Sequence, residues 1–169
     1  MMKLLGALLI IFGCGGIGFM LVASYRHQEQ TLLQLLHAVE YMFCDLQYRL
    51  TPLPELCENA AGACTGCIRK LLHQLRTELD KQVVPDATVC MHVTLKQYDQ
   101  LPGRLYRCLE LLGETLGRFD LQGQLRGLEA VKKNAEFELE QLRRNQDVRL
   151  RNYRTLSICA GVALAILLF

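Results

Sequence analysis

The chain has 169 residues, enough for about one domain, of which 51% are hydrophobic and 21% charged, with a mean hydropathy of +0.15. This composition is too apolar for a disordered chain. Residues 4–25 and 155–169 contain no Asp, Glu, Lys or Arg, and every charge except Lys3 lies within residues 26–154. That segment carries 18 basic and 17 acidic residues, a net charge near +1, which excludes a strongly cationic nucleic-acid binder. The sequence therefore predicts a polar domain, residues 26–154, between two apolar ends.

Residues 4–25 predict a first transmembrane helix. A hydrocarbon core of ~30 Å needs about 20 apolar helical residues, and this uncharged segment of 22 residues meets that length. The rival interpretation is a cleaved signal peptide, with Lys3 as its charged start and Val22-Ala23-Ser24 as its cleavage site. It would place the domain outside the cell, held together by disulfides. A signal core has only ~7–15 apolar residues, so we expect the helix to be retained.

Residues 155–169 predict a second, shorter transmembrane helix. At ~1.5 Å per residue this segment reaches about 22 Å. It crosses a bilayer only if neighbouring residues are drawn in, the bilayer thins, or another protein shields its end. The alternative is a buried tail helix, which we disfavour because so small a domain has little surface to cover the apolar end of the chain.

Basic residues beside the second segment predict the orientation in the membrane. Five arginines precede this segment and no basic residue follows it: Arg143, Arg144, Arg149, Arg151 and Arg154. Since basic residues concentrate on the cytoplasmic side, residues 26–154 are expected to be cytoplasmic and both termini to lie across the membrane. The eight cysteines agree, because a reducing cytosol tolerates unpaired thiols.

Within the domain, apolar residues repeat about every 3.5 positions, which predicts α-helices. The first helix is expected to continue from the first membrane segment to Leu50. Its predicted core stripe is Leu32, Leu36, Val39, Phe43, Leu46 and Leu50. Two prolines in Thr51-Pro52-Leu53-Pro54-Glu55 end it. Thr51 is expected to cap the next helix, with Pro52 in its first turn.

The remaining pattern predicts further helices. A short helix ends near residues 61–62, and a third covers about 67–83 with an inward face of Ile68, Leu72, Leu75 and Leu79. Residues 86–102 predict a loop with a short helix ending at 101–103. The next helix carries Leu105, Leu109, Leu112 and Leu116. The last, capped by Asp120, carries Leu121, Leu125, Leu128, Ala135, Leu139 and Leu142 and runs toward the second membrane segment. The expected fold is all-α: an antiparallel bundle of about five to six helices with a transmembrane helix at each end.

Nothing in the sequence predicts an enzyme, a cofactor or a metal site. Cys64-Thr65-Gly66-Cys67 has the spacing of a redox pair or of half a zinc site, but a second close pair is missing and no βαβ pattern surrounds it. The four histidines are scattered, and no phosphate-binding loop is present. A metal- or thiol-dependent membrane regulator using Cys64 and Cys67 is the alternative function.

The last helix carries an alternating charged run. Its members are Glu129, Lys132, Lys133, Glu136, Glu138, Glu140, Arg143 and Arg144. Such a run is typical of a solvated face, and the alternative is a docking face for a partner.

Two glycines stand four residues apart in Leu112-Gly113-Glu114-Thr115-Leu116-Gly117. Residues at this spacing share a helix face, and each glycine weakens a helix by about 1 kcal/mol. Either another backbone approaches closely at this face, or Gly117 ends the helix and Gly113 is merely tolerated.

Four stretches of the chain resemble the stage III sporulation protein AB family. They are Lys3-Leu4-Leu5-Gly6, Thr51-Pro52-Leu53-Pro54-Glu55, Leu112–Gly117 with Asp120 and Gln124, and Ala165-Ile166-Leu167-Leu168. The similarity covers both ends and most of the domain in order. It is weakest from about residue 62 to 104, where the cysteines are peculiar to this sequence.

The resemblance implies a membrane protein of endospore-forming bacteria, part of a secretion-like channel complex between mother cell and forespore. The cytoplasmic part of the family is similar to the helical domains of the inner-membrane platform protein of type II secretion and type IV pili. Such a platform contacts a secretion-type ATPase. The expected partners are the sister ATPase, other membrane proteins of the complex and lipid, and self-association is compatible with the pattern. The expected location is the mother-cell membrane facing the forespore. Residues with a role in partner contact or architecture are Thr51, Pro52, Pro54, Glu55, Gly113, Gly117 and Asp120.

Overall fold

The computed structural model describes the backbone of residues 2–81, 86–98, 101–117 and 120–168, and the side chains of these ranges between residues 25 and 146. Within these ranges the regular secondary structure is all α-helix, which confirms the predicted all-α class. The six helices are α1 (Met2–Arg49), α2 (Leu53–Ala63), α3 (Gly66–Asp80), α4 (Ala87–Lys96), α5 (Gly103–Thr115) and α6 (Leu121–Leu168).

The chain forms two compact units. One unit, here called the bundle, comprises Gln30–Leu139. Within it α2 packs on α3, α3 on α4 and α4 on α5, and Lys132 Nζ of α6 lies 2.7 Å from Glu40 Oε1 of α1. The other unit comprises Met1–Glu29 with Glu140–Phe169, and in it Arg143 Nε donates to Glu29 Oε1 at 2.7 Å.

The structure gives no support to the two transmembrane helices expected from the sequence. Across the described residues, no helix combines the length and the apolar character needed to cross a bilayer. Apart from Tyr25, the segments 4–25 and 155–169 lie outside the described side chains. Both spans, and the domain boundaries drawn from them, therefore stay predictions.

The core confirms the leucine patterns of α3 and α5 and corrects that of α1. All four predicted residues of α3 and all four associated with α5 are buried. In α1, three residues of the predicted stripe (Leu32, Val39 and Leu46) are buried together with Leu35, Ala38 and Met42, whereas Leu36 and Phe43 are half-buried and Leu50 is 65% exposed. Leu50 is exposed because α1 ends at Arg49, one residue before it.

The stripe predicted for the last helix is partly confirmed. Leu128, Ala135, Leu139 and Leu142 are buried, together with Val131, whereas Leu125 is half-buried and Leu121 is exposed.

The prediction for residues 86–102, a loop with a short helix ending at 101–103, was right in expecting a short helix but wrong in its position, because α4 occupies Ala87–Lys96. Asp86 caps this helix, its Oδ1 accepting from the backbone N–H of Thr88 at 2.9 Å and of Val89 at 3.4 Å. The buried residues of α4 are Ala87, Cys90, Met91, Thr94 and Leu95. The prediction relied on regularly spaced leucines, and only one of these buried residues is a leucine.

A buried carboxylate joins α5 to α6. Glu138, predicted as part of a solvated face, is only 7% exposed. Arg104 Nη1 donates to Glu138 Oε2 at 2.7 Å, and Arg107 Nη2 donates to Oε1 at 2.8 Å. Each carboxylate oxygen thus has its own charged donor, and these hydrogen bonds compensate for the hydration that Glu138 loses on burial.

We expect Glu138→Ala to lower the free energy of unfolding by about 2–3 kcal/mol, because it leaves the half-buried Arg104 guanidinium without its counter-charge. The matched control is Glu140→Ala, which removes an exposed i,i+4 pair on the same helix and is expected to cost less than about 0.5 kcal/mol. Thermal unfolding of both variants, followed by circular dichroism, makes the comparison. Equal shifts for the two would contradict a stabilising role for the buried triad.

Candidate functional site

Two bends of the chain meet in the bundle around a cavity of about 280 Å³, here called the bend pocket. The α1–α2 bend contributes Leu46, Leu50, Thr51, Pro52, Leu53 and Leu56, and the α5–α6 bend contributes Gly117, Leu121 and Gln124. Five leucines and a proline make the lining mostly aliphatic, and Thr51 and Gln124 supply its polar side chains.

The α1–α2 bend is made by Leu50 and the prolines. Leu50 has φ +54°, in the left-handed region, directly after the end of α1. Pro52 is the N-cap of α2, and its carbonyl accepts from Leu56 N–H at 2.8 Å. The prediction that Thr51 caps α2 was therefore wrong by one residue, and this end of the helix has no side-chain cap. Pro54 lies in the first turn, where its missing N–H costs no helical hydrogen bond.

The α5–α6 bend depends on Gly117. Leu116 is the C-cap of α5, its N–H bonded to Leu112 carbonyl at 3.1 Å, and Gly117 follows with φ +74°. A Cβ at Gly117 would lie 3.2 Å from Leu53 Cδ2. Gly117 therefore ends the helix and also lets the two bends approach closely. Of the alternatives left open by the sequence, the helix end holds at Gly117, whose nearest neighbours are the side chains of Leu53 and Ala87.

Gly113 packs against Met91 of α4, whereas the nearest neighbour of Gly117 is Leu53 of α2, so the closest contacts of the two glycines differ. It is buried in α5, and a Cβ there would lie 2.5 Å from Met91 Cβ of α4. This glycine is needed for the close packing of α4 on α5. It lies outside the bend pocket.

The remaining predicted site residues lie at helix starts. Asp120 accepts from Gly123 N–H through Oδ1 at 3.0 Å, which confirms its predicted capping of α6. Glu55 is exposed in the first turn of α2, where a carboxylate complements the helix dipole. Of the seven predicted residues, the structure brings Thr51, Pro52 and Gly117 together in the pocket.

The leucine patterns do not predict the exposed apolar rim of the pocket. Leu50 is 65% exposed and Leu121 is 37% exposed, and Tyr48, two residues before Leu50, is 79% exposed. Leu50 and Leu121 had been assigned to core stripes. A leucine in the left-handed region costs roughly 1–2 kcal/mol relative to ordinary helix or strand geometry, and this one gains little burial in return. Exposed apolar side chains around a concave surface are typical of protein-binding sites.

The environment of Cys64 and Cys67 does not favour thiol chemistry. Cys64 is buried, and its Sγ donates to Gln34 carbonyl at 3.4 Å. Burial raises the pKa of both thiols above the ordinary value, whereas reactive or metal-binding cysteines have a lowered pKa. Among the described side chains, no group of three or more His, Cys, Asp or Glu residues is placed to hold a metal ion.

Alkylation of the full chain with iodoacetamide, read by mass spectrometry, is expected to modify Cys44 first, because this free thiol is exposed. Cys57 and Cys108 should stay unmodified in the folded protein, since burial raises the pKa of Cys57 to about 12 and that of Cys108 to about 11. Denatured protein, in which these thiols react alike, is the control. Modification of Cys64 or Cys67 ahead of Cys44 would contradict the account and favour the thiol-dependent alternative.

Comparison with known proteins gives two matches along the chain. The sequence model of the stage III sporulation protein AB family matches residues 3–169. The protein named "Stage III sporulation protein AB" from Bacillus subtilis (strain 168) is 25% identical over 170 residues, which cover 99% of this chain and 99% of that protein. No solved structure matches the chain.

Proposed function

Because this chain belongs to the stage III sporulation protein AB family, which supports a role in sporulation, we propose that it is a non-enzymatic platform component of the secretion-like channel complex between mother cell and forespore. It sits in the mother-cell membrane, with its bundle in the cytoplasm. The bend pocket contacts the secretion-type ATPase of the complex.

The bend pocket is the observation that carries this proposal. Two interior stretches bear the resemblance to the family: Thr51–Glu55, and Leu112–Gly117 with Asp120 and Gln124. They are more than fifty residues apart in sequence, yet Thr51 and Pro52 from the first line one cavity with Gly117 and Gln124 from the second. A pocket of aliphatic side chains with an exposed rim fits an apolar anchor of a protein partner.

The composition of the pocket supports a binding role over a catalytic one. None of the nine residues that line it is acidic, basic or a cysteine, and its polar side chains are one hydroxyl and one amide. General acid–base or nucleophilic catalysis needs a titratable group or an activated nucleophile beside the substrate.

Membrane attachment is supported by the sequence. Residues 4–25 and 155–169 carry no charged side chain, and five arginines lie between residues 143 and 154, directly before the second segment. This charge asymmetry supports an orientation with the bundle on the cytoplasmic side.

We expect Leu50→Asn to weaken binding of the sister ATPase about thirtyfold while leaving the fold intact. Asn accepts the left-handed conformation more readily than Leu, and the side chain it replaces is 65% exposed, so the thermal stability should be unchanged or slightly higher. Removal of an apolar anchor from an interface costs about 2 kcal/mol, or roughly thirtyfold in affinity. Titration of the purified full chain in detergent with the ATPase measures this affinity.

Val93→Asn is the matched control, since Val93 is an exposed apolar residue on α4 and lies outside the pocket. In the sporulating host, heat-resistant spore counts of a deletion strain complemented with each variant give the second readout. The control should restore the counts and Leu50→Asn should not. Equal binding and equal spore counts for both variants would contradict the pocket as the ATPase contact. If the deletion itself leaves spore counts unchanged, the proposed role is wrong.

A further inference from the structure

The two bends that form the bend pocket are acidic. Residues 45–58 and 114–124 contain all nine residues of the lining. They carry five acidic and two basic side chains, a net charge of −3 in a chain whose net charge is +2. Residues 59–77 of the same bundle, by contrast, carry three basic and no acidic residues. Negative charge is therefore concentrated in the stretches that form the pocket.

Three of these acidic residues, here called the flanking carboxylates, are exposed next to the lining. Glu55 directly precedes Leu56 of the lining, and Asp120 directly precedes Leu121. Glu114 lies in the last turn of α5, directly before the α5–α6 bend. All three are exposed, and none takes part in an ion pair within the described part of the chain. Their charge is therefore available to a partner.

A fourth carboxylate, that of Asp45, is buried directly before Leu46 of the lining. Its side chain is only 4% exposed, and its Oδ2 has no hydrogen-bond partner. Its Oδ1 lies 3.8 Å from Nε of Arg49, one of the two basic residues of the bends. Arg49 therefore balances a buried carboxylate, and its charge does not cancel that of the flanking carboxylates.

We propose that the ATPase segment that enters the bend pocket is basic: an apolar side chain fills the cavity, and lysines or arginines on either side of it face the flanking carboxylates. This inference rests on the proposed function, since it takes the ATPase as the partner, and it adds the chemistry that the ATPase must present. A cleft with apolar walls and one sign of charge at its edge focuses the field of that charge and attracts the opposite one.

Segments of other chemistry fit this site less well. An acidic segment brings like charges together across the interface, which is repulsive. An uncharged segment fills the cavity but takes water away from the flanking carboxylates without giving them a counter-charge. A basic segment with an apolar centre matches both the lining and its edge. Its anchor supplies most of the affinity, and its cations speed association and select the partner.

The test is a titration of the full chain, purified in detergent, with the ATPase at about 50 mM and at about 300 mM salt. The test variant is Glu55→Gln, Glu114→Gln, Asp120→Asn, which removes three exposed negative charges at the pocket. Asn at position 120 keeps the cap of α6, because its amide oxygen accepts the same backbone hydrogen bond.

The matched control is Glu40→Gln, Glu129→Gln, Glu136→Gln. It removes the same number of exposed negative charges from α1 and α6, outside the two bends. Both variants therefore have the same net charge, and only the position of the change differs. Circular dichroism of both should match wild type, because all six side chains are exposed.

Wild type should bind the ATPase about tenfold more weakly at the higher salt concentration. At the lower one, the test variant should bind about tenfold more weakly than wild type, and the control should bind as wild type does. At the higher one, all three should bind alike, because salt screens the charges that distinguish them.

The identity of the bound segment is the second readout. A photo-crosslinking amino acid at position 50 joins the full chain to the ATPase, and mass spectrometry of the digested adduct identifies the attached peptide. Lysines and arginines should outnumber aspartates and glutamates around the attachment point.

The outcomes separate this inference from the proposed function. Equal binding by wild type and the test variant, equal losses in the test variant and the control, or attachment to an acidic or uncharged segment would overturn the inference and leave the ATPase contact in place. Absence of ATPase binding by wild type at both salt concentrations would overturn the proposed contact and the inference with it.

Discussion

The bend pocket depends on position 117 having no side chain. With φ at +74° and Leu53 Cδ2 only 3.2 Å from where a Cβ would stand, glycine is the residue that lets α5 end and lets the two bends touch. Leu53 and Gly117 line the cavity together with Thr51, Pro52, Leu121 and Gln124. Any other residue at position 117 would be strained by this φ, and its Cβ would press on the Cδ2 end of the Leu53 side chain. The architecture of the bundle and its candidate binding surface thus share one steric requirement.

Around this contact, the bundle is stabilised by the burial of apolar side chains. Helices approach one another closely at glycines, and a buried charge is paired. Gly113 allows α4 to approach α5, and a Cβ at Gly127 of α6 would lie 2.6 Å from Thr115 Cβ. Ion pairs between Glu138 of α6 and two arginines of α5 also join α5 to α6. Leu50 at the rim of the pocket is 65% exposed, an apolar side chain that folding has not buried.

The sequence predicts the regular parts of this fold and the family, but not how its bends meet. Leucine spacing was sufficient for α3 and α5, and the family match confirms the resemblance drawn from four stretches. The spacing failed for α4, whose core is mostly Ala, Cys, Met and Thr, and on α1 it included Leu50, which follows the last helical residue, Arg49. Both bends were recognised from their prolines and glycines. The contact between the two bends could not be predicted from the sequence, because the packing of all the helices between them brings Leu53 and Gly117 together. Without that contact, the leucine spacing placed Leu50 in the core.

The central claim is that the bend pocket meets the ATPase of the sporulation complex. A photo-crosslinking amino acid placed at position 50 tests it most directly, in sporulating cells that carry the full chain and an epitope tag on the ATPase. Position 93 on α4, exposed and apolar in the folded protein, receives the same probe as a control. The account predicts an irradiation-dependent adduct with the ATPase from position 50 and none from position 93. An adduct from both positions, or none from position 50 while the tagged ATPase is present, would contradict it.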